Sequence, residues 1–175
     1  MAITVPVAGT EINAATFGAP VADAVNPLGF ARSATASQSI PQNVLTPLSV
    51  PNVITSSGNA FTASGSNSIF TCTIAGVYAC VGIMAAGGTS FPAGTFVGIS
   101  KNGVMMTRAV NASAAAGGGY IYETIHASWV GPIAVNDTMR LVAFMAGSTF
   151  TMLANATGNA NDPPAPSLSM WRVSL

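Results

Sequence analysis

From Ser33 onward the chain is interrupted too often for a helix of useful length. Pro41, Pro47, Pro51, Gly58, Gly65, Gly76, Gly87, Gly88, Gly103, Gly117, Gly118, Gly119 and Gly131 divide it into short runs rich in Val, Ile, Thr, Phe and Tyr. β-Branched and aromatic runs separated at short intervals by turn formers read as the strands of an all-β sandwich. The clearest expected strands cover residues 68–74, 77–85, 94–100, 104–110, 120–130, 138–146 and 168–175. Asn102-Gly103 supplies a two-residue hairpin turn, because both central positions of such a turn need positive φ. Ala75-Gly76 is read as a second hairpin. The segment 155–166, with three prolines, Asn, Gly and Asp, cannot pair in a central strand and marks a long surface loop. Residues 112–119 read as a loop of small residues.

The N-terminal segment is patterned differently. Ile12, Phe17, Val21, Ala24, Val25 and Leu28 recur at helical rather than alternating spacings. Thr10 can cap a first short helix that Gly18 ends, Pro20 suits the start of a second, and Pro27 stops it. Helices this short are marginal alone in water and need a surface to lie on. Residues 1–38 are therefore expected to form a partly helical arm, and residues 39–175 the β domain. The side chains expected to anchor the arm are Ile12, Phe17, Val21, Val25 and Leu28.

Charge narrows the partners. Only 6% of the 175 residues are charged, five basic and five acidic, while 50% are hydrophobic. So few charges leave apolar surface that an isolated monomer would expose, which favours association between copies. The basic residues are scattered, so no cationic surface for nucleic acid is expected. No apolar run approaches the ~18–20 residues of a spanning helix, so no membrane insertion is expected. The first residues lack the basic start and apolar core of a secretory signal, and Glu11 falls where such a signal is apolar.

Chemistry has little raw material. There is one histidine, His126, and the five carboxylates lie more than ten positions apart from one another. No serine has a nucleophile-elbow context. No catalytic residue, cofactor site or metal site is assigned, and the chain is expected not to be an enzyme. Cys72 and Cys80 flank the Ala75-Gly76 turn; in that hairpin they would be diagonal neighbours, awkward for a disulfide, and are read as buried free thiols. The Asn-x-Ser/Thr triplets at Asn111, Asn136 and Asn155 carry weight only in a secreted eukaryotic protein. Along 120–130, Tyr120, Tyr122 and His126 share one face while Ile121, Ile125 and Trp129 share the other. The first face is expected to meet neighbouring copies, with Tyr120 and Tyr122 as an alternative sugar-binding platform.

Phe70-Thr71-Cys72-Thr73-Ile74-Ala75-Gly76-Val77-Tyr78 resembles a motif of the globular heads of complement component 1q and their tumour-necrosis-factor-like relatives. Val97-Gly98-Ile99-Ser100-Lys101-Asn102-Gly103 is similar to the family's strand and Asn turn, and Ile133-Ala134-Val135-Asn136-Asp137-Thr138-Met139-Arg140-Leu141 to its Gly-Asp strand entry, with Asn136 in the glycine position. Ser167 to Leu175 is similar to its last strand. The resemblance implies an antiparallel jelly-roll sandwich that trimerises about a threefold axis and meets ligands through loops and intersubunit grooves. Neither a collagen-like stalk nor an acidic cluster for calcium accompanies it.

The arm, with Gly9-Thr10-Glu11-Ile12-Asn13-Ala14-Ala15 and Phe17-Gly18-Ala19-Pro20-Val21-Ala22, resembles the start of minor structural proteins of tailed bacteriophages. Together the two resemblances imply a homotrimeric structural protein of a phage particle. It would be made in the host cytoplasm, carried on the virion's tail or head, bound to other virion proteins through the arm, and in position to contact a host surface glycan. A capsid decoration protein and a free carbohydrate-binding, lectin-like module are the alternatives.

Overall fold

The computed structural model describes residues 29–56, 58–88, 94–110, 121–147, 150–152 and 166–174, the backbone alone at 55, 85–88, 121–123, 150–152 and 174. Two antiparallel sheets face each other. The first has the order β10 (Ile121–Ile133), β7 (Gly76–Gly88), β13 (Ser167–Ser174), β1 (Gly29–Ser33) and β4 (Asn52–Ser56). The second runs β5 (Phe61–Ser64), β6 (Ile69–Cys72), β11 (Thr138–Phe144), β8 (Phe96–Lys101) and β9 (Val104–Val110), with β3 (Thr46–Pro47) added to β11. A small ribbon pairs β2 (Gln38–Ile40) with β12 (Phe150–Met152). The chain passes repeatedly from one sheet to the other, giving the expected all-β jelly roll, and no helix occurs among the described residues.

Alternation builds the core. Phe70 and Cys72 of β6 point inward against Tyr78 and Cys80 of β7, and all four are almost fully buried. At one end an aromatic cluster links both sheets: Phe30 lies 4.9 Å from Phe70 and 5.6 Å from Phe61, and Phe61 meets Tyr78 edge-on at 5.2 Å between ring centroids. The Tyr78 hydroxyl donates to the Ile74 carbonyl at 2.7 Å, so the buried ring keeps its polar end satisfied. Near the centre, Gly82 of β7 leaves space that Leu141 and Ile99 of the opposite sheet fill. A Cβ at Gly82 would sit 2.4 Å from Leu141 Cδ1, so only glycine permits this approach.

Two expectations are corrected here. The domain begins before residue 39, because β1 lies inside the five-stranded sheet, paired on one side with β13 and on the other with β4, and Phe30 is in the core. Residues 29–38 thus belong to the sandwich, and the rest of the arm, 1–28, lies outside the described residues. The Ala75-Gly76 segment is not a hairpin: β6 pairs with β5 and β11, while β7 pairs with β10 and β13. It is a corner that carries the chain between sheets. Phe70 and Cys80 both point inward, but from opposite sheets. Cys72 and Cys80 are both buried and unpaired.

The turn at Asn102-Gly103 joins β8 to β9, with φ of 51° and 80° at its two residues. Asn136, which stands in the family's glycine position, also takes positive φ, at 72°. Asn tolerates this left-handed conformation better than other side chains, which explains the exchange.

Candidate functional site

Two surfaces flank the core, and they differ in chemistry. Residues directly opposite on antiparallel strands share a face, so the register gives the outer face of the five-stranded sheet row by row. One row is Gly29, Trp171, Ala79 and Val130; the next is Ala31, Ser169, Val81 and Ser128; the third is Ser33, Ser167, Ile83 and His126. None of these side chains is charged. Arg32, opposite the buried Leu168, and Arg172, opposite the buried Tyr78, take the alternate positions of β1 and β13. Trp171 is 42% and Val130 65% exposed, while Val81 and Ile83 in the next two rows are half-buried. The face therefore presents small, apolar and hydroxyl groups across the sheet, with large apolar side chains at one end.

The outer face of the second sheet carries cations. Arg108 of β9 is exposed and lies 5.4 Å from the Phe96 ring centroid, and Phe96 stacks on Phe144 at 5.1 Å and 12°. Arg140 is half-buried on the same face, and Thr62 and Ser64 at the edge are exposed. Charged and hydroxyl side chains suit contact with water. The outer face of the first sheet carries hydroxyls but no charge in its described rows, and it is the candidate surface for association.

The expected interface residues are placed as follows. His126 is exposed on the uncharged face, while Ile125 and Trp129 lie on the inner side of β10, as alternation requires. Tyr122 is opposite Gly87 in the β10–β7 register, and its side chain lies outside the described ones. Tyr120 and the arm residues Ile12, Phe17, Val21, Val25 and Leu28 lie outside the described residues. Trp171, Ala79, Val81 and Val130 were not singled out by sequence, although the alternation Ser167, Ser169, Trp171, Val173 along the last strand signals one uncharged face.

A second constellation closes one end of the sandwich. The Asp137 carboxylate accepts hydrogen bonds from the Ala134 amide at 2.8 Å and from Asn102 Nδ2 at 2.6 Å, with Lys101 Nζ at 3.6 Å. Asn102 Oδ1 accepts from the Thr138 amide at 2.8 Å, and the Asn102 amide donates to the Thr138 carbonyl at 2.9 Å. Lys101 also donates to the Pro132 carbonyl at 3.0 Å and lies 5.9 Å from the Trp129 ring centroid. The Ala134 amide, then Asn102, then Lys101 hold the Asp137 carboxyl below the usual carboxylate range. The corner after β6 is tied in by the Cys72 amide donating to the Asp137 carbonyl and the Asn136 amide to the Cys72 carbonyl. This clasp joins three turns and gives Asp137 a structural duty. Among the described residues, no group of three or more His, Cys, Asp or Glu is placed to hold a metal. No described helix is long and apolar enough to cross a membrane.

No family model matches the chain, and no curated protein matches it either. Solved structures do. Murine APRIL, crystallised at pH 8.0, matches with a TM-score of 0.59 at 13% identity, covering 84% of this chain and 99% of that one. Eiger TNF from S. frugiperda matches with a TM-score of 0.57 at 7% identity, covering 85% of this chain and 94% of that one. At such identities the likeness establishes the fold, a tumour-necrosis-factor-like jelly roll.

Proposed function

We propose that this protein is a non-enzymatic assembly module, a homotrimer whose subunits meet through the uncharged outer face of the five-stranded sheet. The observation that carries the reading is that face: its three described rows hold no charged side chain and leave Trp171 and Val130 exposed. Covering it removes apolar area from water without desolvating an ion. The resemblance of residues 70–78 and 97–103 to the complement-1q and tumour-necrosis-factor-like family, which implies a threefold axis, supports a closed ring of three over an open chain of copies. His126 and Tyr122, with Tyr120 just before β10, belong to this interface. The test is Val81→Arg, at the middle of the middle row, with Thr62→Arg on the opposite sheet as control. Sedimentation should show a folded monomer for the first and a trimer for the second. Unchanged assembly of Val81→Arg would refute the assignment of the face.

The finer role is that of a structural protein of a bacteriophage particle, located in the virion and anchored to other virion proteins by residues 1–28. It is supported by the arm's resemblance and its helical apolar spacing. The experiment is to offer the chain lacking residues 1–28 to particles without the native protein; β1 begins at Gly29, so the sandwich stays whole. Loss of occupancy with the trimer retained supports the anchor. Normal occupancy would overturn it, and glycan binding by the free trimer would then favour the lectin-like alternative.

A further inference from the structure

The chain contains one Asn-Gly pair, and it lies in the clasp. Asn102 is exposed at the β8–β9 turn, and a Cβ at Gly103 would meet nothing within 4 Å, so the backbone nitrogen that follows Asn102 is sterically open. This pairing has an intrinsic reaction. The Gly103 nitrogen, losing its proton to water or hydroxide, attacks Cγ of Asn102; the new N–Cγ bond closes a five-membered succinimide. The Cγ–Nδ2 bond breaks and the nitrogen leaves as ammonia after taking up a proton. Water then adds to one of the two ring carbonyls and opens it, yielding Asp or isoAsp.

We propose that Asn102 is a latent deamidation site held closed by the clasp, and that its conversion opens this end of the sandwich. Cyclisation requires the side-chain amide to rotate so that Cγ faces the Gly103 nitrogen. Both ends of that amide are held: Oδ1 accepts from the Thr138 amide at 2.8 Å and its hydroxyl at 3.3 Å, and Nδ2 donates to Asp137 at 2.6 Å. The reaction therefore waits for the corner to open. After conversion to Asp, a second carboxylate replaces the donor that faced Asp137, and Lys101 at 3.6 Å is the one described cation beside the pair. The attraction that held the β8–β9 turn to the β10–β11 turn becomes a repulsion, which opposes reclosure of the clasp.

The test is peptide mapping by mass spectrometry, which counts Asp and isoAsp at position 102 during incubation at mildly alkaline pH. Four samples are compared: the native protein, the urea-unfolded chain, and folded Asp137→Ala and Asp137→Asn, with circular dichroism confirming the fold. The unfolded chain should convert on the order of tenfold or more faster than the native protein, and loss of the charged hydrogen bond should accelerate the folded variants toward it. Should Asp137→Ala fail to fold, Asp137→Asn retains an acceptor and still reports. Asn102→Asp should lower the melting temperature, and adding Asp137→Asn to it should restore part of the loss by removing the repulsion. Native conversion as fast as in urea, or folded Asp137 variants as slow as wild type, would overturn the proposal.

Discussion

Replacing Gly82 by Ala tests the packing where the two sheets come closest. The added Cβ would lie 2.4 Å from Leu141 Cδ1 and 3.5 Å from Ile99 Cγ1. Carbon atoms pack at about 3.5–4.0 Å, so the Leu141 tip must retreat by about 1 Å in a core where Leu141 and Ile99 are both fully buried. Overpacking of this size costs about 1–3 kcal/mol, against which the lower entropy of the unfolded alanine chain returns about 0.4–1 kcal/mol. Leu141→Ala alone leaves a cavity and costs about 2–5 kcal/mol. The double variant is the decisive one. The methyl at 82 points at the space Leu141 vacates, so the two changes should not add: Gly82→Ala should cost nothing, or stabilise, once Leu141 is Ala. The expected coupling is about 1–3 kcal/mol. Urea unfolding followed by circular dichroism measures it, at one protein concentration throughout because self-association shifts apparent stability by mass action. Additive losses would refute the close approach of Gly82 and Leu141.

Burial pushes the Cys80 thiol up to about 12, so it should resist alkylation in the folded protein at mildly alkaline pH and react once urea is added; rapid native labelling, or a disulfide in non-reducing mass spectrometry, would contradict this. Changing Cys72 and Cys80 together to Ala should lower stability by a few kcal/mol, about 1 or more per buried sulfur, and leave oligomeric state unchanged. The lowered Asp137 pKa means that its ionised form is favoured by folding. The stabilisation is present at neutral pH and disappears as pH falls below the ordinary carboxylate value of about 3.9 and through the depressed folded one. The gap in urea midpoint between wild type and Asp137→Asn should therefore narrow from pH 7 towards about pH 2; a gap independent of pH would remove the ionic part of the clasp.

The sequence exposed strands wherever alternation and turn chemistry agreed. β9 has the expected bounds, and β7, β8, β10, β11 and β13 overlap their expected ranges, because inward-facing, mostly apolar residues recur along them at a period of two. β1 was hidden by its neighbours: Gly29 and Arg32 interrupt its apolar pattern, and it follows directly on the helically spaced arm. β4 is an edge strand whose described side chains are all exposed, so burial leaves little mark on it. The Ala75-Gly76 corner was misread for a different reason. Alternation says which side chains point inward, and nothing local says to which sheet the next strand belongs.

The candidate surface was legible in part. Periodicity placed His126 opposite Ile125, and the structure agrees. The lack of charge on the whole face emerged only from the lateral register, which brings Trp171, Ala79 and Val130 into one row from strands far apart in the chain.

The mass of the unmodified protein in solution tests the central claim most directly. Native mass spectrometry and sedimentation at micromolar concentration should give a species of three times the 17.5 kDa chain mass, with protein lacking residues 1–28 also trimeric. A monomer in both measurements, with the five-stranded sheet's outer face left open to water, would contradict the account.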